Sequence, residues 1–372
     1  MSDDARTYHR ARLIFAAATV LAGVGVLALG VRATALLPPP APRRWIDLAG
    51  IVAVEAALLG AARELVTAPL TVAGGYWLPR RFGLLHQPWR RWLLDRAKAT
   101  LIRAGLGLLA FEILYALLWV APLWWLAAAV VFFAGDVLRV AVAPIWLMPL
   151  FHHLTPLQDR TLSERLTALA ERARVPVLGV WVGDQSRKSR TANGTVTGIG
   201  RTRRMVLWDT LLRFPPAEIE FVLAHELGHH AHGDVRRILL LRGALLLAKF
   251  WIADRLLALG VAWWGWRGIA DPAGLPWLAL VLLGLGLAAA PLVNAYSRRI
   301  ERQADDFALA TTGNVAAFVG AIERLAALNL ADRRPSRLEE WLLYTHPSIE
   351  RRLARHAPRS RGPATAETPP SG

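Results

Sequence analysis

The stretch from Phe221 to Asp234, FVLAHELGHHAHGD, contains one glutamate and four histidines. On an α-helix, His225 and His229 would lie on one face, one turn apart, so both imidazoles could bind a single metal ion. Glu226 follows the first histidine and can reach a water on that ion. This spacing is typical of zinc hydrolases in which the glutamate is the general base. The chain has no cysteine, so a third ligand must be His, Asp or Glu.

An ordinary explanation of the same stretch is a surface helix whose histidines are solvated near its C-terminal turn. His230 and His232 fit that explanation, because neither brackets a glutamate at ligand spacing. We expect these two side chains in solvent or around the ligands. Only His225 and His229 enclose Glu226 as a zinc site requires.

The third ligand must come from another helix. The segment SRRIERQADDFALA, residues 297–310, follows the last apolar stretch, and Glu301 and Asp305 lie four residues apart within it. We predict that Glu301 binds the metal and that Asp305 accepts a hydrogen bond from a ligand imidazole or its surroundings. The same acids could form ordinary ion pairs with Arg298 and Arg302, and the spacing alone leaves both explanations open.

Most of the remaining sequence is apolar. Hydrophobic residues make up 54% of 372, and the mean hydropathy is positive, which indicates a membrane protein. About 20 residues are needed to cross a bilayer. Six stretches are long enough: 12–31, 47–77, 98–121, 122–150, 239–266 and 274–296. A signal peptide at 13–31 is the alternative for the first, because Ala33-Thr34-Ala35 resembles a cleavage site, but the run is long for that purpose.

Basic residues predict the orientation of these spans. Lys and Arg outnumber Asp and Glu by 44 to 28, which could indicate nucleic acid, an anionic membrane surface or cytoplasmic loops. Five arginines lie in the loop after the second span: Arg80, Arg81, Arg90, Arg91 and Arg96. The turn near Pro122 and the one between Trp266 and Pro276 hold few, although Arg32, Arg43 and Arg44 lie in the first outer loop. We therefore predict cytoplasmic termini, cytoplasmic polar segments and no nucleic-acid partner.

The chain divides into five predicted parts. They are a membrane region with four spans (1–150), a catalytic segment (151–238), two further spans (239–296), a second catalytic segment (297–356) and a disordered tail rich in Pro, Ala and Ser (357–372). Within the first catalytic segment, the patterns predict a helix at 157–173, strands at 176–182, 193–199 and 204–208, and a helix opened by Pro215-Pro216. The predicted fold class is a mainly α-helical multi-pass membrane protein with a small α+β domain.

Charged residues inside the predicted spans include Glu55, Glu112, Asp136, Arg139, Lys249, Asp254 and Arg255. Such residues usually face the bundle interior or a hydrated cavity. Neutralisation in pairs, such as Asp136 with Arg139, is an equally good explanation.

Four motifs in the same order resemble a known family. HELGH at 225–229, SRRIERQADDFA at 297–308, NGTVTGIGRTRRMVLWDTLL at 193–212 and HPSIERRL at 346–353 resemble the integral-membrane zinc metalloproteases that include the type I CAAX prenyl endopeptidase and the HtpX heat-shock protease. The segments PRRFGLLHQ and APIWLMPLFHHLTPL favour the prenyl-endopeptidase branch. The resemblance implies a gluzincin-like zinc metalloprotease domain on the cytoplasmic side.

The resemblance also implies roles for individual residues. It makes His225, His229 and Glu301 the ligands of one zinc ion per chain, with Glu226 activating water and Asp305 supporting the site. Three further residues receive roles from it alone. His346 and Arg352 would line the site and stabilise substrate or the oxyanion, and Asn193 would lie beside the bound peptide. Members of this branch typically have seven spans around a large chamber; six are predicted here, with the first one missing.

The predicted activity is endoproteolysis of a peptide or membrane-protein substrate at a lipid bilayer. The branch suggests prenylated CAAX peptides, yet the Ala- and Arg-rich composition is typical of bacteria, most of which do not prenylate proteins in this way. We therefore expect a bacterial plasma (inner) membrane, with membrane-protein quality control as an alternative function. A non-catalytic scaffold or transporter is a further alternative, but a structural zinc site would normally be closed by a fourth protein ligand and would not need Glu226.

Overall fold

The computed structural model describes residues 3–142, 146–198 and 200–356, so the predicted tail at 357–372 lies outside the described residues. The helices are α1 (Asp3–Leu36), α2 (Trp45–Val72), α3 (Leu78–Arg81), α4 (Trp89–Val120), α5 (Trp124–Val142), α6 (Met148–Phe151), α7 (Arg160–Arg172), α8 (Pro216–Ala231), α9 (Asp234–Trp264), α10 (Leu275–Thr312), α11 (Val315–Leu328), α12 (Arg337–Leu343) and α13 (Ile349–His356). The strands are β1 (Leu154–Pro156), β2 (Val180–Gly183), β3 (Gly194–Thr197) and β4 (Arg204–Trp208).

Long apolar helices form a membrane bundle. Within the described ranges, five helical segments that contain α1, α2, α4, α5 and α10 are long and apolar enough to cross a bilayer. The fifth predicted span, 239–266, corresponds to α9, which has 31 residues but carries several charges. Phe250, Ala253 and Leu257 of α9 are buried in one core with Tyr115 of α4 and Trp124 of α5. α9 therefore packs as a member of the bundle.

α1 runs the full height of this bundle. It continues through Ala33-Thr34-Ala35, and the Thr34 hydroxyl donates a hydrogen bond to the Ala273 carbonyl at 2.9 Å. Near its other end, His9 Nε2 lies 2.8 Å from the hydroxyl of Tyr344, just after α12. The N-terminal end of α1 and the polar domain thus lie on the same side of the bundle. This agrees with the even number of spans between them, α1, α2, α4 and α5.

The polar domain is built on a four-stranded sheet of order β1-β2-β4-β3. β2 and β4 are parallel, and the two outer strands pair antiparallel to their neighbours. α7, α8 and α11 pack with the sheet around a core that includes Leu166, Met205, Leu207, Leu223 and Phe318. β3 lies at the edge, where an additional strand could pair.

The predicted elements of the polar domain are largely confirmed. The helix at 157–173 is α7, the strands near 193–199 and 204–208 are β3 and β4, and the helix after Pro215 is α8. The strand predicted at 176–182 is shorter, because Pro176 lacks a backbone donor and Gly179 has a φ of +147°. β1 was not predicted, since three residues carry too little pattern.

α10 joins the bundle to the polar domain. Its 38 residues extend about 57 Å, about twice the thickness of the hydrocarbon core. The helix therefore leaves the bundle near Ser297, and its last turns pack Ala304 and Ala308 against the polar domain. At this exit Arg298 donates hydrogen bonds to the carbonyls of Glu340 (2.7 Å) and Tyr344 (2.6 Å). These bonds hold α12 and the residue that follows it against α10.

Some charged residues within the spans form pairs, and others face the bundle interior without a partner among the described residues. Arg139 donates to Asp136 from Nε and Nη2, at 2.9 and 2.8 Å, as the pairing explanation predicts. Asp254 accepts a hydrogen bond from the Trp124 indole at 2.7 Å. In contrast, one carboxylate oxygen of Glu55 and one of Glu112 are buried without a hydrogen-bond partner in the part of the chain that the structure describes.

Candidate metal centre

α8 positions two histidines and one glutamate. Proline is tolerated in the first turn of a helix, so Pro216 can open α8, and Phe221 anchors the helix in the domain core. Further along, His225, Glu226 and His229 offer ligand atoms that all lie within 4.8 Å of one another. The helical spacing in the sequence thus produces a compact cluster.

Glu301 joins this cluster from α10. Its Oε2 lies 3.2 Å from His225 Nε2, and its Oε1 lies 3.6 Å from His229 Nε2. Donor atoms held by a tetrahedral zinc ion are about 3.3 Å apart, and two histidines with one glutamate form a known catalytic ligand set. Glu301 Oε2 is buried and has no hydrogen-bond partner among the described residues. These atoms fit a zinc ion.

Carboxylates hold the outer nitrogens of both imidazoles. Asp305 Oδ1 lies 2.9 Å from His225 Nδ1, and Asp234 Oδ2 lies 3.1 Å from His229 Nδ1. Such contacts fix the ring orientation and leave Nε2 free to bind a metal. Asp305 was predicted as a partner of a ligand imidazole, whereas Asp234 was missed. It lies five residues after His229, beyond the end of α8, so helical spacing does not indicate its position.

Two glycines allow this geometry. A Cβ at Gly228 would lie 3.0 Å from the Phe307 ring, so the absence of a side chain lets α8 approach α10 closely. Gly233 has a φ of +67°, a left-handed conformation that glycine adopts without strain. It ends α8 and turns the chain, which brings Asp234 back beside His229.

Charge coupling shifts the titration of the cluster. Burial opposes protonation of His225, but the carboxylates of Asp305 and Glu301 outweigh it and raise the pKa of His225 to about 9. Burial also opposes ionisation of Glu301, yet the facing imidazoles, His225 first, lower the pKa of Glu301 to about 2. Burial raises the pKa of Glu226, against the opposing effect of His225 and His229. This direction suits a general base that accepts a proton near neutral pH.

A pocket of about 310 Å³ opens beside the cluster. Its walls include five of the predicted site residues: Asn193, His225, Glu226, His346 and Arg352. Asn193 lies just before β3, and its carbonyl accepts a hydrogen bond from the Trp208 amide at 3.0 Å. The pocket therefore joins the metal centre to the edge of the sheet.

His346 and Arg352 approach from the C-terminal segments. His346 Nε2 lies 3.3 Å from Glu301 Oε1, and its Nδ1 lies 2.9 Å from the Thr345 hydroxyl. Arg352 donates to Asp305 from Nε (2.9 Å) and Nη2 (2.6 Å). Arg352 thus orients Asp305 in addition to lining the pocket.

The other two histidines of the opening stretch have different partners. His230 Nε2 lies 2.9 Å from the Val196 carbonyl, and Arg203 donates to its Nδ1 at 3.2 Å. The ring of His232 contacts the Phe307 ring edge-on, with centroids 5.4 Å apart. His230 therefore fastens α8 to β3.

Comparison with known families gives two adjacent matches. The profile described as peptidase family M48 matches residues 156–358. The profile described as the CAAX prenyl protease N-terminal region, five membrane helices, matches residues 48–153. The first covers the polar domain, α9 and α10, and the second covers the membrane helices from α2 to α6.

Similar proteins are found in bacteria and yeast. An uncharacterized metalloprotease of Bacillus subtilis (strain 168), YhfN, is 31% identical over 323 residues, which cover 84% of this chain and 74% of that protein. CAAX prenyl protease 1 of Saccharomyces cerevisiae is 32% identical over 180 residues, 46% of this chain and 39% of that protein. The crystal structure of S. mikatae Ste24p superposes with a TM-score of 0.74 at 22% identity, covering 95% of this chain and 87% of that one.

Proposed function

The chain belongs to peptidase family M48, whose members are zinc-dependent in general, and from this premise we propose that it cuts peptide bonds at a zinc site formed by His225, His229 and Glu301. It is an integral-membrane metalloprotease. The proposed site rests on one observation. These three side chains meet from two helices that are far apart in sequence, and Glu226 lies beside them.

When bound, zinc supplies Lewis acidity, which lowers the pKa of a water and polarises the scissile carbonyl. Glu226 takes the proton of the attacking water and passes it to the leaving amide nitrogen. Asp305 and Asp234 hold the two imidazoles in place through Nδ1. No covalent bond to the protein forms.

The pocket walls supply the remaining contacts. His346 Nε2 lies 3.3 Å from Glu301 Oε1, so it is next to a proposed zinc ligand and close to where the scissile carbonyl would bind. We assign it to stabilisation of the developing oxyanion. Arg352 contributes positive charge on the same wall. The substrate backbone pairs with the outer edge of β3 beside Asn193, as an added antiparallel or parallel strand.

We also propose the cellular arrangement. Segments 151–238 and 297–356 form one catalytic domain, separated in sequence by two spans, and it lies in the cytoplasm with both termini. The arginines near α3 and the start of α4 lie on the domain's side of the bundle, where basic loops remain cytoplasmic. The Ala- and Arg-rich composition favours the plasma membrane of a bacterium.

The substrate is proposed to be a peptide or a membrane protein. The prenyl-protease relatives favour a C-terminal prenylated peptide, whereas a bacterial host favours quality control of membrane proteins. Purified protein should be incubated with a prenylated peptide, its unmodified twin and a misfolded membrane protein. A preference of about tenfold or more for the first over its twin would support prenyl recognition, and cleavage of the third alone would support quality control.

Replacement of Glu226 by Gln tests the mechanism. We expect hydrolysis to fall at least a hundredfold while about one zinc per chain is retained, because Gln preserves the shape but cannot take a proton. Glu220→Gln on the same helix is the matched control. Glu220 lies outside the pocket, and its Oε1 is 2.6 Å from Arg165 Nε. Unchanged cleavage by Glu226→Gln would refute the proposed base.

A further inference from the structure

Two segments outside the metal centre meet at a second pocket. Residues 79–87, PRRFGLLHQ, and residues 146–157 of the APIWLMPLFHHLTPL stretch both contribute to it, although neither reaches the zinc site. The amides of His86 and Gln87 donate to the Lys188 carbonyl at 2.8 and 3.1 Å. The His153 amide donates to Asp184 at 2.9 Å. The resulting pocket has a volume of about 250 Å³.

Cations from two elements surround this pocket. Arg91 and Lys98 lie seven residues apart on α4, so they share one helical face, and Arg187 lines the same pocket from another segment. Arg187 pairs with Asp184 at 3.0 Å. Among the described residues, neither Arg91 nor Lys98 has an ion-pair partner within 4 Å.

The acids of the pocket do not balance these cations. Asp95 Oδ2 accepts hydrogen bonds from Gln87 Nε2 and Lys188 Nζ, both at 2.7 Å. With Lys188 and Arg187 matched to Asp95 and Asp184, the charges of Arg91 and Lys98 remain. The pocket therefore carries a surplus of about two positive charges, which favours an anion.

The partly buried imidazole of His152 in the same pocket offers a further polar contact. His152 Nδ1 is buried without a hydrogen-bond partner among the described residues, and the nearest acid, Asp184 Oδ1, is 3.7 Å away. Burial, and then the charge of Lys188, lower the pKa of His152, so the ring is neutral at neutral pH. A neutral imidazole can donate one hydrogen bond. Because Nδ1 is buried beside Asp184, Nε2 is the nitrogen that can donate this bond to a ligand with acceptor oxygens.

The surroundings place this pocket at the membrane surface. Trp89 and Trp92 stack at the start of α4 with ring centroids 5.2 Å apart, and Tyr76 packs edge-on against Trp89 at 4.9 Å. Aromatic clusters of this kind lie at the level of lipid headgroups. The apolar rim of the pocket, Leu94 and Leu150, is 62% and 51% exposed. Such a rim suits acyl chains better than water.

We propose that this pocket, formed by Arg91, Lys98, Arg187 and His152, binds the phosphate of an anionic phospholipid whose acyl chains lie along Leu94 and Leu150. A phosphate oxygen can accept hydrogen bonds from both guanidinium groups and from the imidazole. The proposal does not depend on the zinc mechanism.

The binding test uses the full-length chain, and native mass spectrometry counts the lipids bound to each protein. We expect about one. Phosphatidylglycerol, phosphatidylcholine and inorganic phosphate are titrated separately. We expect phosphatidylglycerol to bind more tightly than phosphatidylcholine, and the double variant Arg91→Gln with Lys98→Gln to weaken it about thirtyfold, since each near-surface cation contributes about fivefold. Inorganic phosphate should compete only weakly, because it lacks the acyl chains.

A matched double variant separates the pocket from general surface charge. Arg81→Gln with Arg90→Gln removes two exposed arginines from the same basic region but not from the pocket, and it should weaken binding much less. Equal weakening by both double variants, equal affinity for both lipids, or competition by inorganic phosphate as strong as by phosphatidylglycerol would overturn the proposal. Zinc content and peptidase activity in detergent show that each variant is folded.

Discussion

The proposed metal centre and the membrane bundle both bury carboxylates, but the partners of these carboxylates differ. In the centre, Asp305 is 2% exposed and contacts both His225 and Arg352. In the bundle, buried oxygens of Glu55 and Glu112 have no hydrogen-bond partner in the part of the chain that the structure describes. A buried charge costs several kcal/mol unless it is paired, and removal of one partner is costly. Neutralising a carboxylate that positions other side chains should therefore reduce activity and zinc binding much more than neutralising one that has no such partners.

Neutralisation of Glu301 should produce the largest effect. Glu301→Gln keeps the size of the side chain but removes the charge that faces the imidazoles of His225, His229 and His346. We expect peptidase activity to fall at least a thousandfold and bound zinc, measured by elemental analysis, to fall well below one per chain. Asp306→Asn on the same helix is the control, because Asp306 is 43% exposed and pairs with Arg355 outside the cluster. Full zinc occupancy in Glu301→Gln would remove Glu301 from the ligand set.

Neutralisation of the carboxylates behind the ligands should have a smaller effect. Loss of such a partner typically costs 10- to 100-fold in metal affinity. We expect Asp305→Asn to lie at the upper end, because it also leaves the guanidinium of Arg352 without its anion. Asp234→Asn should lie at the lower end. Zinc affinities from chelator competition check both, and equal affinities for the two variants would contradict this ranking.

Zinc affinity should also depend on pH. In the metal-free fold, the pKa of His225 is raised from 6.5 to about 9, so protonated His225 contributes stability that is present below pH 6.5 and is lost as the pH rises through 9. Zinc requires the neutral imidazole and must displace this proton. We expect the affinity to rise about tenfold per pH unit between pH 7 and 9 and then to level off. A flat profile over that interval would show that His225 is already neutral.

The clustering of the proposed metal-centre residues could largely be predicted, because most of them follow helical spacing. His225, Glu226 and His229 needed only one helix, and Glu301 with Asp305 needed a second helix that starts where a predicted span ends. Asp234 was not predictable in this way, since the left-handed turn at Gly233 brings it back to His229. The pairing of Arg352 with Asp305 joins residues 47 positions apart, and no local pattern indicates it.

The bundle was predictable only at the level of spans. Hydropathy identifies helices that are long enough to cross a bilayer, but a charge within a span has the same local pattern whether it pairs or faces a cavity. Asp136 and Arg139 pair because they lie three residues apart on α5. Asp254 accepts a hydrogen bond from the indole of Trp124, which is 130 residues away in sequence, so this partner depends on how α5 and α9 pack.

Neutralisation of Glu55 should have the smallest effect and completes the comparison. Glu55→Gln replaces a carboxylate whose buried Oε2 has no hydrogen-bond partner among the described residues, so no metal ligand is disturbed. We expect zinc content to stay at about one per chain, activity to change less than about twofold, and the thermal unfolding temperature to stay equal or rise, because an amide is less costly to bury than a carboxylate. Asp136→Asn is the paired control from the same bundle, where loss of the contacts with Arg139 and Arg242 should lower that temperature. A large loss of activity in Glu55→Gln with zinc retained would show that this carboxylate acts in the protease, and the contrast between the two regions would fail.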